Sequence, residues 1–254
     1  PLTQQDIDNY VVSNGLVTSD FWKETSDKSL NEIVYNPFYL NTLVAFMKAT
    51  GNLPTPAKLM DEIIQNRFEE DATKYHLTVN LDEKKPLILG SLCKIAFAMQ
   101  CMQKKSIDVR DCYGFSSAED IECTKYSGIL VKKSNDTWVF EHNNFREYLA
   151  AKFLSELDTE IIRQIIFDTN TNVKDSWLNI LSFLVALYPN DSLLNLIAET
   201  DIEIFVRFEQ DRLNDAERFR IFKSVFNSYK EKNVWITRSR LDIEAFAKFG
   251  QTKE

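Results

Sequence analysis

The chain has 254 residues and a formal net charge of −8, with 30 lysines and arginines against 38 aspartates and glutamates. Hydrophobic residues make up 44% of it and charged residues 27%, which excludes a disordered or collagen-like protein. The acidic balance argues against nucleic acid as a partner, because phosphate binding needs a surplus of Lys and Arg. The longest nearly apolar stretch, 177–188, is too short to span a bilayer, so we expect no membrane segment.

The cysteines and the first residue bear on the cellular context. No two of the four cysteines have the close spacing of a zinc knuckle, so we expect free thiols, no metal site and a cytoplasmic protein. They are Cys93, Cys101, Cys112 and Cys123. The chain begins with Pro1 rather than Met and has no visible signal peptide, so we expect it to be part of a longer polypeptide.

Glycine is scarce, at 6 of 254 residues, whereas about 7% is average. Few glycines mean few tight turns, so we predict a mainly α, multi-helical fold. Neither Gly-x4-Gly-Lys-Ser/Thr nor Gly-x-Gly-x-x-Gly occurs, so the chain lacks the backbone cradle that these motifs build around phosphates. We therefore expect no enzyme activity from this chain by itself and assign it no catalytic residue.

A first helical domain is predicted over residues 1–85. Hydroxyl side chains and prolines at the expected starts, and glycines at the expected ends, delimit its helices. The predicted helices run from Thr3 to Gly15, from about Asp20 to Ile33, from Pro37 to Gly51 and from Pro56 to about Glu70. The polar residues 71–85 are predicted to form a loop.

A winged-helix domain with one β-hairpin is predicted over residues 86–157. An apolar helix from Leu87 to about Gln103 opens it, and a capping box, in which Glu119 reaches back to the cap, starts a helix that ends at Gly128. Runs 129–133 and 137–140 around a polar turn then predict the hairpin, the only strand pair that we expect. A helix from Asn144 to about Leu157 follows.

The third predicted domain, residues 158–254, is helical throughout and is typical of a bundle or the start of a solenoid. The apolar spacing predicts helices over 159–168, 173–188, 191–199, 201–212, 215–231 and 238–248.

Candidate chemistry is sparse, because the chain has two histidines. His76 lies in a polar stretch and is predicted to be a surface residue. A hydrolase would need Cys123 or a serine beside His142, which sequence spacing does not decide. DNA binding would use the helix over 117–127, but this helix holds three acidic residues and one lysine.

Several motifs in order resemble NACHT-type STAND NTPases, the signalling ATPases that include NOD-like receptors and bacterial defence proteins. The winged-helix pattern of this family, Phe-x-His-x-x-Phe-x-Glu-Tyr-Leu-Ala-Ala, is similar to residues 140–151. The family's Asn-Pro-Leu-x-Leu is similar to residues 36–40, and its Pro-Leu-Thr-x-x-Asp-Ile to residues 1–7. Together with a Trp-x5-Phe-Leu-like helix at 177–187, the resemblance covers residues 1 to about 188.

The resemblance implies that a P-loop core in the same polypeptide precedes this chain and binds ADP or ATP with Mg. It implies that Pro37 packs on the adenine and that His142 contacts a phosphate of bound ADP. The chain would then couple the nucleotide state to a sensor in the C-terminal region, which a protein or ligand triggers, as in prokaryotic antiviral defence. Walker A and Walker B are missing here, so ATP hydrolysis does not carry over to this chain.

Three alternatives stay open from the residues alone. Pro37 is also explained as a helix starter, and His142 as a histidine that packs between domains. On that basis the protein would be a winged-helix DNA-binding regulator, a helical interaction scaffold without a nucleotide role, or an unrecognised hydrolase.

Overall fold

The structure, a computed structural model, describes residues 2–28, 30–31, 33–134, 136–168, 172–188, 191–208, 215–233 and 243–251. They form two compact units, Pro1–Glu156 and Leu157–Glu254. Both units are mainly helical, and the first also holds a small antiparallel sheet, which confirms the predicted mainly α fold. The finer division into 1–85, 86–157 and 158–254 stays a prediction.

Local start and stop signals set the first helices of the chain. These are α1 (Gln4–Ser13), α2 (Thr18–Asp27), α3 (Pro37–Thr50) and α4 (Pro56–Tyr75). The Thr3 hydroxyl accepts from the Asp6 amide while the Asp6 carboxylate accepts from the Thr3 amide, so a capping box starts α1. Gly15 and Gly51 follow helix ends with φ of +79°, a conformation that glycine adopts without strain.

The predicted loop over residues 71–85 is wrong, because two helices occupy most of it. Helix α4 continues to Tyr75, and α5 (Leu81–Cys101) begins where the Asn80 side chain accepts from the Glu83 amide. The polar residues there are mostly the solvated faces of helices, and Asp71 is buried because it binds another segment. Pro86 lies inside α5, whereas the predicted helix begins after it, at Leu87.

The rest of the first unit has the element order of a winged helix. After α5 come β1 (Ile107–Asp108), α6 (Val109–Cys112), α7 (Ala118–Thr124), β2 (Leu130–Lys132), β3 (Thr137–Phe140) and α8 (Asn143–Leu154). The predicted hairpin is present as β2 and β3, which pair antiparallel. The prediction of only two strands is wrong, since β1 pairs with the other edge of β3 and the order is β1-β3-β2.

The predicted capping box before α7 is also corrected. Ser117 is the N-cap and accepts from the Asp120 amide, while Glu119 pairs with Lys84 of α5 instead of reaching back to the cap. We call the segment from α5 to α8 the winged-helix half. Its two long helices, α5 and α8, pack along each other, and the ring of Phe97 stacks on that of Phe153 with 4.6 Å between the centroids.

The second unit consists of helices of 7 to 17 residues and short 3-10 segments among its described residues. The helices are α9 (Thr159–Ile166), α10 (Leu178–Leu187), α11 (Asp191–Asp201), α12 (Asp215–Glu231) and α13 (Ile243–Phe249). The predicted helix over 201–212 is a 3-10 helix, Ile202–Arg207, as far as it is described. Residues 209–212 of that prediction and 238–242 of the last one lie outside the described residues.

Candidate functional site

His142 lies between the last strand of the sheet, β3, and helix α8. Its backbone is extended, with φ −133° and ψ 143°, and it is the N-cap residue of α8, although its side chain does not cap that helix. The half-exposed imidazole lies 6.0 Å from the ring of Tyr39 and 5.4 Å from the ring of Phe145, centroid to centroid. One edge of the ring is thus packed against aromatic side chains, and part of it reaches solvent.

Pro37 opens α3, where its missing N–H costs least, and its ring is exposed. It lines a cleft of about 400 Å³ between α3 and α4. The other lining residues are Asn41, Thr42, Ala45, Ile63, Asn66, Arg67 and Glu70. The cleft is therefore lined by apolar side chains together with hydroxyl, amide and charged groups.

The two residues that the resemblance assigns to the nucleotide lie on neighbouring features rather than in one cleft. Tyr39, which contacts His142, is two residues after Pro37 in the first turn of α3. His142 is not among the residues that line the cleft at Pro37. Both residues thus lie near the beginning of α3, and only Pro37 lines the cleft.

Arg67 of α4 connects the cleft to the segment before His142. Its Nη1 donates to Glu70 at 3.1 Å, and its Nη2 donates to Glu141 at 3.2 Å. Arg67 lines the cleft, and Glu141 directly precedes His142. Sequence reasoning missed this pair, because 74 positions separate its members and no local pattern links them.

A second contact of α4 lies one helical turn further on. The Asp71 carboxylate accepts from the Gly128 amide at 2.7 Å. Burial raises the pKa of Asp71 above its ordinary value, while the Gly128 amide and the Arg67 charge act in the opposite direction. This carboxylate therefore serves as an acceptor inside the unit, and its charge is held at a cost.

Two further contacts extend the α4 interface at its ends. Lys152 of α8 binds Asp61 at 3.1 Å, and the rings of Tyr75 and Tyr126 meet edge to face at 5.3 Å. With Arg67 and Asp71 between them, one side of α4 contacts α8 and both loops that flank the hairpin. The half of the chain that holds Pro37 is thereby joined to the half that holds His142.

The Tyr39 phenol beside His142 is held neutral. Burial raises its pKa, a hydrogen bond with Asn144 opposes this, and the Glu141 charge adds to the rise. Tyr39 is 5% exposed, so the imidazole packs against a buried ring rather than against a mobile surface side chain.

The remaining candidate residues show little convergence. His76 is exposed in the turn after α4, as predicted. Cys123 is buried on the inner side of α7. Among the described residues, no group of three or more His, Cys, Asp or Glu is placed to hold a metal ion.

Helix α7 is the element that DNA would meet if the winged helix bound a major groove. Its exposed side carries Glu119 and Glu122, which pair with Lys84 and Lys125. Ile121 faces the interior. A helix with carboxylates on its outer face repels phosphate, so this geometry does not favour DNA.

Comparison with known proteins identifies no relative: no protein-family model matches the chain, and no curated protein matches it. Within the part of the chain that the structure describes, no helix has both the length and the apolar character needed to cross a membrane.

Proposed function

We propose that the chain is the regulatory part of a NACHT-type STAND NTPase. In this proposal a P-loop core of the same polypeptide binds ADP or ATP with Mg, and the winged helix transmits the nucleotide state to the C-terminal helices. The observation that carries the proposal is the position of His142. Its half-exposed imidazole lies at the start of α8 and packs against Tyr39. Tyr39 belongs to the first turn of α3, which begins at Pro37.

The chemistry available at His142 suits an anionic group. An imidazole N–H donates to a phosphate oxygen, and the bond is stronger when the ring is protonated. His142 is also the N-cap residue of α8, and a helix N-terminus favours negative charge. Tyr39 and Phe145 limit the orientations of the ring, so the donor is preorganised.

Pro37 lines the cleft with an exposed apolar ring, which can pack on the face of a purine. The glycine-rich phosphate cradle and the metal ligands belong, in this proposal, to the core. Bound nucleotide supplies the phosphate charge that His142 would hold. In this proposal the winged helix has two arrangements relative to the core, one in contact with it and one released. If ADP and ATP bind the two arrangements with different affinities, exchange of ADP for ATP shifts the population between them.

The proposal assigns the input to the C-terminal region, where a protein or ligand acts as the trigger, and the output to a signalling pathway such as prokaryotic antiviral defence. It places the protein in the cytoplasm, where ATP and reduced thiols coexist. The four cysteines are free, which agrees with a reducing compartment.

The direct test is the dissociation rate of ADP from the parent protein. We expect His142→Ala to release a fluorescent ADP analogue at least about tenfold faster than wild type, because a hydrogen bond between charged groups is worth about 1.5–3 kcal/mol. His76→Ala is the matched control, since His76 is exposed elsewhere. Equal release rates in wild type and His142→Ala would refute the phosphate contact and favour a helical scaffold.

A further inference from the structure

Two side chains of α4, one helical turn apart, contact two different loops of the winged-helix half. Arg67 Nη2 lies 3.2 Å from Glu141 Oε1, and Asp71 accepts from the Gly128 amide at 2.7 Å. We call these four residues the α4 clamp. The Arg67 and Glu141 side chains are each 28% exposed, so water screens their attraction only in part.

The two loops of the α4 clamp are also bonded to each other. The Glu141 amide donates to the carbonyl of Ile129, at 3.0 Å, and Ile129 directly follows Gly128. These contacts form a closed ring: α4 binds Gly128, the next residue Ile129 binds Glu141, and Glu141 binds α4. Moving Glu141 requires breaking a contact on both sides of it.

The Arg67 side chain occupies the position that a Cβ of residue 128 would take, which explains why this residue is a glycine. A Cβ at position 128 would lie 2.5 Å from Arg67 Nε and 3.0 Å from Cζ. The φ of Gly128 is outside the left-handed region, so an alanine there has no backbone strain. Consequently a methyl group at 128 would displace the guanidinium from Glu141 at little cost to the fold.

We propose that Arg67 and Glu141 are positioning residues for His142. Through its ion pair with Arg67, Glu141 fixes the segment that turns from β3 into α8, and thereby fixes where the imidazole points. The role in nucleotide retention rests on the proposed function of His142. The positioning itself does not, and it is measurable on this chain alone.

The first experiment measures amide hydrogen exchange in this chain without nucleotide. Arg67→Gln, Glu141→Gln and Gly128→Ala are expected to speed exchange of the Glu141 amide about fivefold, the factor that corresponds to a contact of about 1 kcal/mol. Amides of the α5–α8 core report whether the fold is intact. The double variant Arg67→Gln/Glu141→Gln is expected to exchange no faster than either single variant.

Two matched controls separate positioning from general loosening. Glu70→Gln removes the charge of the other partner of Arg67. The Glu70 side chain is 69% exposed. Asp71→Asn keeps an oxygen that accepts from Gly128. Both controls are expected to leave the Glu141 exchange rate unchanged. If Arg67→Gln and Gly128→Ala also leave it unchanged while the core is intact, the proposal is overturned.

The second experiment measures ADP release from the parent protein. Arg67→Gln is expected to release ADP about fivefold faster than wild type, and His142→Ala/Arg67→Gln no faster than His142→Ala alone. Additive effects would mean that Arg67 acts on stability rather than through His142, which overturns the proposal. If His142→Ala itself has no effect, the proposed function fails, and the exchange rates of the first experiment alone decide the positioning role.

Discussion

The rings of Tyr39 and His142 lie 6.0 Å apart, centroid to centroid, so the first turn of α3 contacts the start of α8. Tyr39 is almost fully buried, whereas the imidazole is half-exposed. The contact therefore joins a fixed ring to a ring that reaches solvent. It also places His142 beside the helix turn that Pro37 opens, although His142 is not among the residues that line the cleft at Pro37.

Replacing Tyr39 tests how much this contact contributes. Tyr39→Ala removes a buried ring and leaves a cavity, so we expect the free energy of unfolding to fall by about 3 kcal/mol or more. Tyr39→Phe keeps the ring and loses only the hydroxyl, so we expect a loss of about 1 kcal/mol. Urea unfolding measures both. A Phe variant as unstable as the Ala variant would mean that the hydroxyl, not the ring, carries the contact.

Asp71 is expected to make stability depend on pH. Burial raises its pKa above the ordinary 3.8. The folded chain therefore holds a proton on Asp71 more tightly than the unfolded chain does, and the contribution of Asp71 to the free energy of unfolding rises as pH falls from neutral towards 3.8. Asp71→Asn removes this dependence and keeps an acceptor for the Gly128 amide.

The measurement is urea unfolding of wild type and Asp71→Asn at several pH values. Near pH 7 the variant is expected to be at least as stable as wild type, and its advantage is expected to shrink towards about pH 4. Asp71→Ala, which lacks the acceptor, is the control and is expected to be less stable than Asp71→Asn at every pH. A constant difference between wild type and Asp71→Asn contradicts the pKa shift.

The thiols are expected to differ sharply in reactivity. Burial raises the pKa of Cys93 to about 12 and of Cys112 to about 11, and Cys123 is also buried. Cys101 is exposed near the end of α5. Because the thiolate is the reactive form, a thiol reagent is expected to modify Cys101 quickly and the other three only after unfolding. A fast phase that persists in Cys101→Ser would contradict this order.

The sequence predicted the parts of the fold that depend on neighbouring residues. Thr3 and Asp6, Thr55 and Pro56, and the glycines at 15 and 51 act within one turn, so their patterns identify helix ends directly. The apolar and β-branched runs over 129–133 and 137–140 likewise predicted the hairpin. His142 followed from the motif that spans β3 and α8.

The features that were missed depend on distant residues. Strand β1 has two residues, too few for an alternating pattern, and exists because it pairs with Trp138 and Thr137. The polar end of α4 looked like a loop because the partner of Asp71 is Gly128, 57 positions away. The Arg67–Glu141 pair, which adjoins the candidate site, is beyond local patterns for the same reason.

We propose that this chain regulates a nucleotide-binding core through His142. The most direct measurement is the nucleotide retained by the purified parent protein, released by denaturation and identified by chromatography for wild type and His142→Ala. We expect ADP in wild type and its loss in the variant. No nucleotide in either preparation, with both well folded, would contradict a regulatory role for this chain in a nucleotide-binding protein.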